Sequence, residues 1–217
     1  MSKIEEFVNS ERSRWGKVFV DVNYAIDNIS PFLEKADLKK RKYVAKLPIL
    51  KKYMDLLDAA EAEGQKGGFL NMFHSDKSTD LLREYKHDNK SSFIQLENCK
   101  NCACLNCTAE CNFNGCLGCR AGSHIKKCDH SKINVTFHEE YTLDLKNDRT
   151  GRTDKYTVLA TLQDSELDRQ YIIIENRMKG EKFILYYYPG ISEDTYGEIT
   201  DGEEFDFIVS TFEGIEE

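Results

Sequence analysis

Apolar side chains recur at three- and four-residue steps through the first thirty positions: Ile4, Phe7, Val8, Trp15, Val18, Phe19, Val22, Ile26 and Ile29. That spacing lays one stripe along a helix, with Glu5, Glu6, Arg12, Lys17 and Asp21 falling mostly between. Ser30-Pro31 marks a stop and restart, because Ser30 can cap a helix and Pro31 suits a first turn that needs no amide hydrogen. The pattern predicts a second helix over 31–45, with Pro48 ending or kinking it. A third helix over 49–62 buries Leu50, Tyr53, Leu56, Leu57 and Ala60, and Gly64, Gly67 and Gly68 close it. A short helix over 79–85, capped by Asp76 or Ser78, precedes the polar stretch 86–92, which reads as a linker.

From Lys132 onward the period shortens to that of strands. Alternating, β-branched and aromatic residues predict strands over 134–137, 141–145, 156–162, 171–175 and 182–188. Residues 147–151 read as a turn, and Gly180 lies between the last two strands, which makes them a hairpin. Pro189-Gly190 ends that ladder. The chain then closes on a helix over 201–212, with Phe205, Ile208, Val209 and Phe212 on one face and Thr200 or Asp201 as its cap. The expected fold class is α+β: an N-terminal helical hairpin or bundle over 1–92, a central Cys-rich zinc module over 93–132, and a small C-terminal antiparallel β-sheet with a terminal helix over 133–217.

The central module holds the strongest chemical signal. All eight cysteines of the 217-residue chain lie within thirty residues: Cys99, Cys102, Cys104, Cys107, Cys111, Cys116, Cys119 and Cys128. Three pairs have CxxC spacing, which lets a tight turn aim two sulfurs at one tetrahedral ion. The segment is nearly devoid of apolar residues, so an ion is expected to supply its order. About two zinc ions per chain account for eight or nine ligands, with His130 or His124 able to replace one sulfur. A cross-braced arrangement joins Cys99/Cys102 to Cys116/Cys119, and Cys104/Cys107 to two of Cys111, Cys128 and His130. The Cys102-x-Cys104 spacing leaves that partition open.

Composition sets the compartment and the partners. No apolar run approaches the roughly 20 residues of a membrane span, and the charged N-terminus has no signal-type stretch. A cytoplasmic setting without membrane contact is therefore expected, where clustered thiols favour metal over disulfides. Residues 1–98 carry a net charge of +1, residues 99–138 +3, and residues 139–217 −12. Such asymmetry implies different surfaces for different partners.

The last third, from Tyr156 to about Ile215, resembles the DUF1292 family of small acidic proteins found mainly in Firmicutes. The resemblance rests on Tyr171-Ile172-Ile173-Ile174, then Ile184-Leu185-Tyr186-Tyr187-Tyr188, then Ile199, Asp201, Glu203, Glu204, Phe205, Val209 and Phe212. It implies a small sheet closed by an acidic helix. It implies no catalytic residue, because the family has no established ones.

No phosphate-binding loop, nucleophile elbow, zincin helix or dinucleotide fingerprint occurs. Glu110 and Asp129 are the only acids in the cysteine segment and fall in no catalytic motif, so no catalytic residue is assigned. His74, His87 and His138 are isolated and read as ordinary surface or packing residues. Lys35, Lys39, Lys40, Arg41, Lys42, Lys46, Lys51 and Lys52 place eight positive charges within 18 residues. Of these, Lys39 through Lys42, Lys46, Lys51 and Lys52 are the candidate contacts for nucleic acid or an acidic partner. The expected function is a non-enzymatic, zinc-stabilised interaction protein of bacterial or phage origin. It would act as a regulator or inhibitor that binds a protein partner through charged surfaces, with zinc fixing a hub between the flanking domains. Nucleic-acid binding through the basic helices and zinc loop is the alternative.

Overall fold

The computed structural model describes residues 3–65, 72–111, 113, 117–146 and 151–216. The fold is α+β and divides into two units. One comprises Met1–Lys100 and Leu105–Thr108, the other Asn101–Cys104 and Ala109–Glu217. Phe93, Leu96, Cys99 and Leu105 of the interval 93–132 belong to the core of the helical unit. Among the described residues no helix is long and apolar enough to cross a membrane.

In the helical unit, α1 (Lys3–Ile29) is followed by a 3₁₀ turn (Ser30–Phe32), α2 (Lys35–Lys40), α3 (Lys42–Gln65), α4 (Met72–Asp88) and α5 (Lys90–Asn98). The stripe on α1 delivers Val8, Trp15, Val22 and Ile29 to a core shared with Tyr43, Leu50, Tyr53 and Leu57 of α3. Phe93 of α5 meets Trp15 at 4.7 Å and Tyr53 at 5.1 Å, both edge to face. Glu11 closes a polar network inside this packing. Its carboxylate accepts from the Tyr53 hydroxyl at 2.6 Å, Trp15 Nε1 at 3.1 Å and Lys86 Nζ at 2.8 Å. Three helices thus meet on one satisfied carboxylate, and burial with this neighbour pushes the Tyr53 hydroxyl far above its ordinary range.

Three expectations are corrected here. The helix expected over 31–45 is instead a 3₁₀ turn, α2 and the start of α3, with the break at Arg41 in extended backbone. Pro48 does not end this pattern, because α3 runs through it. An interior proline costs about 3 kcal/mol. Burial of Tyr43 on one side, and of Leu50, Tyr53 and Leu57 on the other, offsets that at about 1.5–3 kcal/mol per side chain. The stretch 86–92 is not a linker. It is the end of α4 and the start of α5, joined at Asn89, whose side-chain amide donates to the Tyr85 carbonyl at 2.8 Å. Gly67 and Gly68, expected to close the third helix, lie outside the described residues.

The second unit is one antiparallel sheet of seven strands in the order β1-β2-β4-β5-β6-β7, with β3 also paired to β4. The strands are β1 (Ser123–Cys128), β2 (Ile133–His138), β3 (Thr142–Lys146), β4 (Thr153–Asp164), β5 (Arg169–Asn176), β6 (Lys182–Tyr188) and β7 (Thr195–Glu198). β3 pairs with the first part of β4, up to Thr157, and β2 with the second part, from Ala160. An irregularity between Val158 and Ala160 separates the two parts and switches which residues face which side. Gly180, at φ 71°, occupies the left-handed position of the β5–β6 hairpin turn. Two strands were not anticipated: β1 inside the cysteine segment, and the four-residue β7. Of the turn expected over 147–151, only Gly151 lies within the described residues.

Helix α6 (Gly202–Glu216) closes the unit. Its Ile208 and Phe212 pack on Ile133, Val135, Ala160, Leu162, Tyr171 and Ile173. Asp201 caps it, accepting from the Glu204 amide at 3.0 Å. Glu204 then ties the helix to the sheet. Its carboxylate accepts from the Tyr171 hydroxyl and Arg169 Nη1, each at 2.5 Å, and from the Tyr186 hydroxyl at 2.8 Å.

Burial pushes the Glu204 carboxyl up, but the hydrogen bonds from Tyr171, Arg169 and Tyr186 pull it further down, so it lies below the ordinary carboxylate range. An acid depressed in this way stabilises the fold above its unfolded value of about 4.3, and the contribution is lost as pH falls through the lower folded value. Glu204→Ala leaves the buried Tyr171 hydroxyl without its acceptor and is expected to cost about 1–3 kcal/mol in urea unfolding at pH 7. Below about pH 4.5 the stability difference between wild type and Glu204→Gln should shrink.

Candidate functional site

The cysteine segment belongs to both units in alternation. Cys99 and Cys107 fall in the helical unit, and Cys102, Cys104, Cys111, Cys119 and Cys128 in the sheet unit. Each of the first two CxxC pairs therefore has one member in either unit. Cys116 lies outside the described residues.

On the helical side, Cys99 ends α5 in a 3₁₀ turn (Cys99–Asn101) and is 1% exposed in the helical core. Leu105 joins the same core, and its carbonyl accepts from the buried Tyr43 hydroxyl at 3.2 Å. Two residues on, the Cys107 carbonyl accepts from Arg41 Nη2, also at 3.2 Å. The break between α2 and α3 thus aims Arg41 and Tyr43 at the same short backbone run. A segment without its own core is held there by donors from a helix that has one.

On the sheet side, Ile125 of β1 is the fixed point. Its carbonyl accepts from the Ala103 amide at 2.8 Å, which lays the Cys102-Ala103-Cys104 run beside β1. Its side chain fills the space where Gly118 would carry a Cβ, so only glycine fits in the 3₁₀ turn Leu117–Cys119. Cys128 ends β1 itself. Cys111 Sγ lies 3.8 Å from the carbonyl of buried Phe113. The chain leaves β1 through Asp129 and His130, the latter at φ 70°. Asp129 Oδ1 accepts from the amides of Ser131, Lys132 and Ile133 at 2.8–3.0 Å. Burial pushes the Asp129 carboxyl up, and these amide bonds more than reverse that. Its role is to build the turn.

No disulfide joins any two of the described cysteines. Among the described residues no three His, Cys, Asp or Glu side chains form a ready metal-holding group. The donor chemistry nonetheless fits a thiophilic ion: soft sulfurs on short turns, with Cys99 and Cys102 nearly inaccessible to water. Of the ligands expected from sequence, Cys99 and Cys107 belong to the helical unit and Cys102, Cys104, Cys111, Cys119, Cys128 and His130 to the sheet unit. His124 is pushed down by burial, and its Nδ1 is buried without a hydrogen bond among the described residues. His138 is likewise pushed down, to about 4, by burial first and then by Arg120 and His124, and its Nε2 lies 2.9 Å from Thr161 Oγ1.

The basic stretch is thinner in three dimensions than in sequence. Lys39, Lys40, Lys42, Lys51 and Lys52 are exposed and Lys46 is half-buried. Lys40 pairs with Asp37 at 2.5 Å, and Lys52 lies over the Tyr85 ring. Arg41 departs from the expected contact face: it is 4% exposed and serves the Cys107 carbonyl instead. The feature unforeseen from sequence is an apolar groove of about 590 Å³ in the sheet unit, between α6 and β6–β7. Ile184, Ile199, Phe205, Val209 and Phe212 line it. Its sequence signal is that α6 carries more large apolar residues than one side of a helix needs to cover a sheet.

Arg41→Ala should remove the hold on the Cys107 carbonyl and lower stability by about 2 kcal/mol or more, since a buried charged donor is lost from its network. Lys51→Ala, on the exposed face, should stay within about 0.5 kcal/mol. Guanidinium unfolding of both variants makes the comparison, and equal effects would return Arg41 to the surface face.

No family model, no curated protein and no solved structure matches this chain.

Proposed function

We propose that the chain is a zinc-stabilised interaction protein that acts as a regulator or inhibitor by binding a protein partner through charged surfaces. The observation that carries the reading is the set of cysteines within residues 99–128, in a segment whose backbone is held from outside by Arg41 and Tyr43 and braced from within by the Ile125 carbonyl. Held that way, the segment needs a further source of order for its side chains, and zinc bound by thiolates supplies it. The ions are structural in this reading, about two per chain, and no reaction runs through them.

Charge supports the partner half of the reading. Residues 189–217 contain ten Asp and Glu and no Lys or Arg. A surface of that kind attracts a basic partner and repels nucleic acid. The loss of Arg41 from the basic face weakens the nucleic-acid alternative in turn. The succession of antiparallel strands and a closing acidic helix supports the resemblance of the last third to the DUF1292 family. A cytoplasmic setting, in a bacterium or a phage-infected cell, belongs to the same proposal.

Elemental analysis of protein purified under reducing conditions is expected to give about two zinc ions per chain, and Cys107→Ser to lower that number. Isolation from host cells is expected to retain a protein partner whose association weakens as salt rises. Metal-free protein that captures no partner, yet binds DNA or RNA with a steep salt dependence, would overturn the reading.

A further inference from the structure

We infer that the groove between α6 and β6–β7 receives a cationic amphipathic helix of a protein partner, an inference that rests on the interaction reading above and names the partner's chemistry. The groove is apolar at its base and acidic around it. Ile184 of β6, Ile199 after β7, and Phe205, Val209 and Phe212 of α6 form the base, with Glu198 and Glu213 among the lining residues. Helix α6 carries five acids and no base. Lys182 is the single cation among the lining residues, and its Nζ lies over the Phe212 ring at 5.6 Å.

Three features select the occupant. Phe205, at 40% exposure, and the half-buried Val209 leave apolar surface on α6 that the sheet does not cover. A buried apolar anchor from a partner would recover it. The surrounding acids disfavour a fatty acid, an anionic membrane or an acidic peptide and favour Lys and Arg flanking the anchors. The fifteen residues of α6 make a wall about 22 Å long, which matches four turns of a partner helix presenting anchors at i, i+3 or i+4, and i+7. The wall is fixed beforehand, because Glu204 ties its first turn to Tyr171, Tyr186 and Arg169. Little ordering cost then falls on this side of the complex.

The test uses the full chain and a synthetic Leu/Lys amphipathic helical peptide of fourteen residues, with a Leu/Glu peptide of the same pattern as control. Fluorescence anisotropy should show saturable binding of the Leu/Lys peptide and none of the Leu/Glu peptide. Phe205→Glu, at an exposed position, and Glu198→Lys with Glu213→Lys should each weaken binding at least tenfold while far-ultraviolet circular dichroism stays that of wild type. Undiminished binding by folded Phe205→Glu would overturn the groove as the site, as would equal binding of the acidic peptide. Concentration-dependent dimerisation of wild type that Phe205→Glu abolishes would also overturn it, assigning the groove to a second copy. A host partner that Phe205→Glu still retains would overturn the groove and leave the interaction reading standing. Absence of any host partner counts against that reading, whatever the peptide does.

Discussion

A stretch of thirty residues with so few apolar side chains cannot bury a core, and its backbone must be held by neighbours that can. Among the described residues, Tyr43 and Arg41 hold it from outside and Ile125 braces it from within. The Tyr43 hydroxyl and the Arg41 guanidinium take two carbonyls of the 105–107 run, and the Ile125 carbonyl takes the amide between Cys102 and Cys104. These bonds fix the path of the chain, and the thiols ride on that path. Backbone hydrogen bonds of this kind contribute only about 1 kcal/mol each, so they set geometry more than they set stability. In the reading proposed above, thiolate coordination of a metal supplies the larger free energy that orders the segment.

The two folded units share a construction principle. In each, one carboxylate gathers donors from several elements: Glu11 from α1, α3 and α4, and Glu204 from β5 and β6. Both carboxylates sit where helices or a helix and a sheet must keep a fixed angle. A satisfied buried network of this sort defines one arrangement where apolar packing alone tolerates several.

Much of this was legible from residue order. The stripe on α1, strands β2 to β6, the Gly180 hairpin and the Asp201 cap all follow from local periodicity and turn chemistry. What was not legible depends on tertiary support. Residues 86–92 look like a linker because only Ser92 among them is buried, yet Phe93 and Leu96 anchor the helix that follows. Pro48 reads as a break because local rules do not see the core on either side of it. β1 has a single buried apolar residue, Ile125, and β7 has none. Arg41 reads as surface because arginine is seldom buried, and only the Cys107 carbonyl explains its position. The groove is invisible locally because it needs α6 set against β6, which ends more than ten residues before the helix begins.

The central claim is that metal bound by thiolates orders residues 99–128. Hydrogen exchange on the intact chain, with and without exhaustive chelation under reducing conditions, tests it most directly. The account predicts that chelation strips protection from residues 99–128 while β4, β5 and β6 keep theirs. Unchanged protection of residues 99–128 after complete metal removal would contradict it.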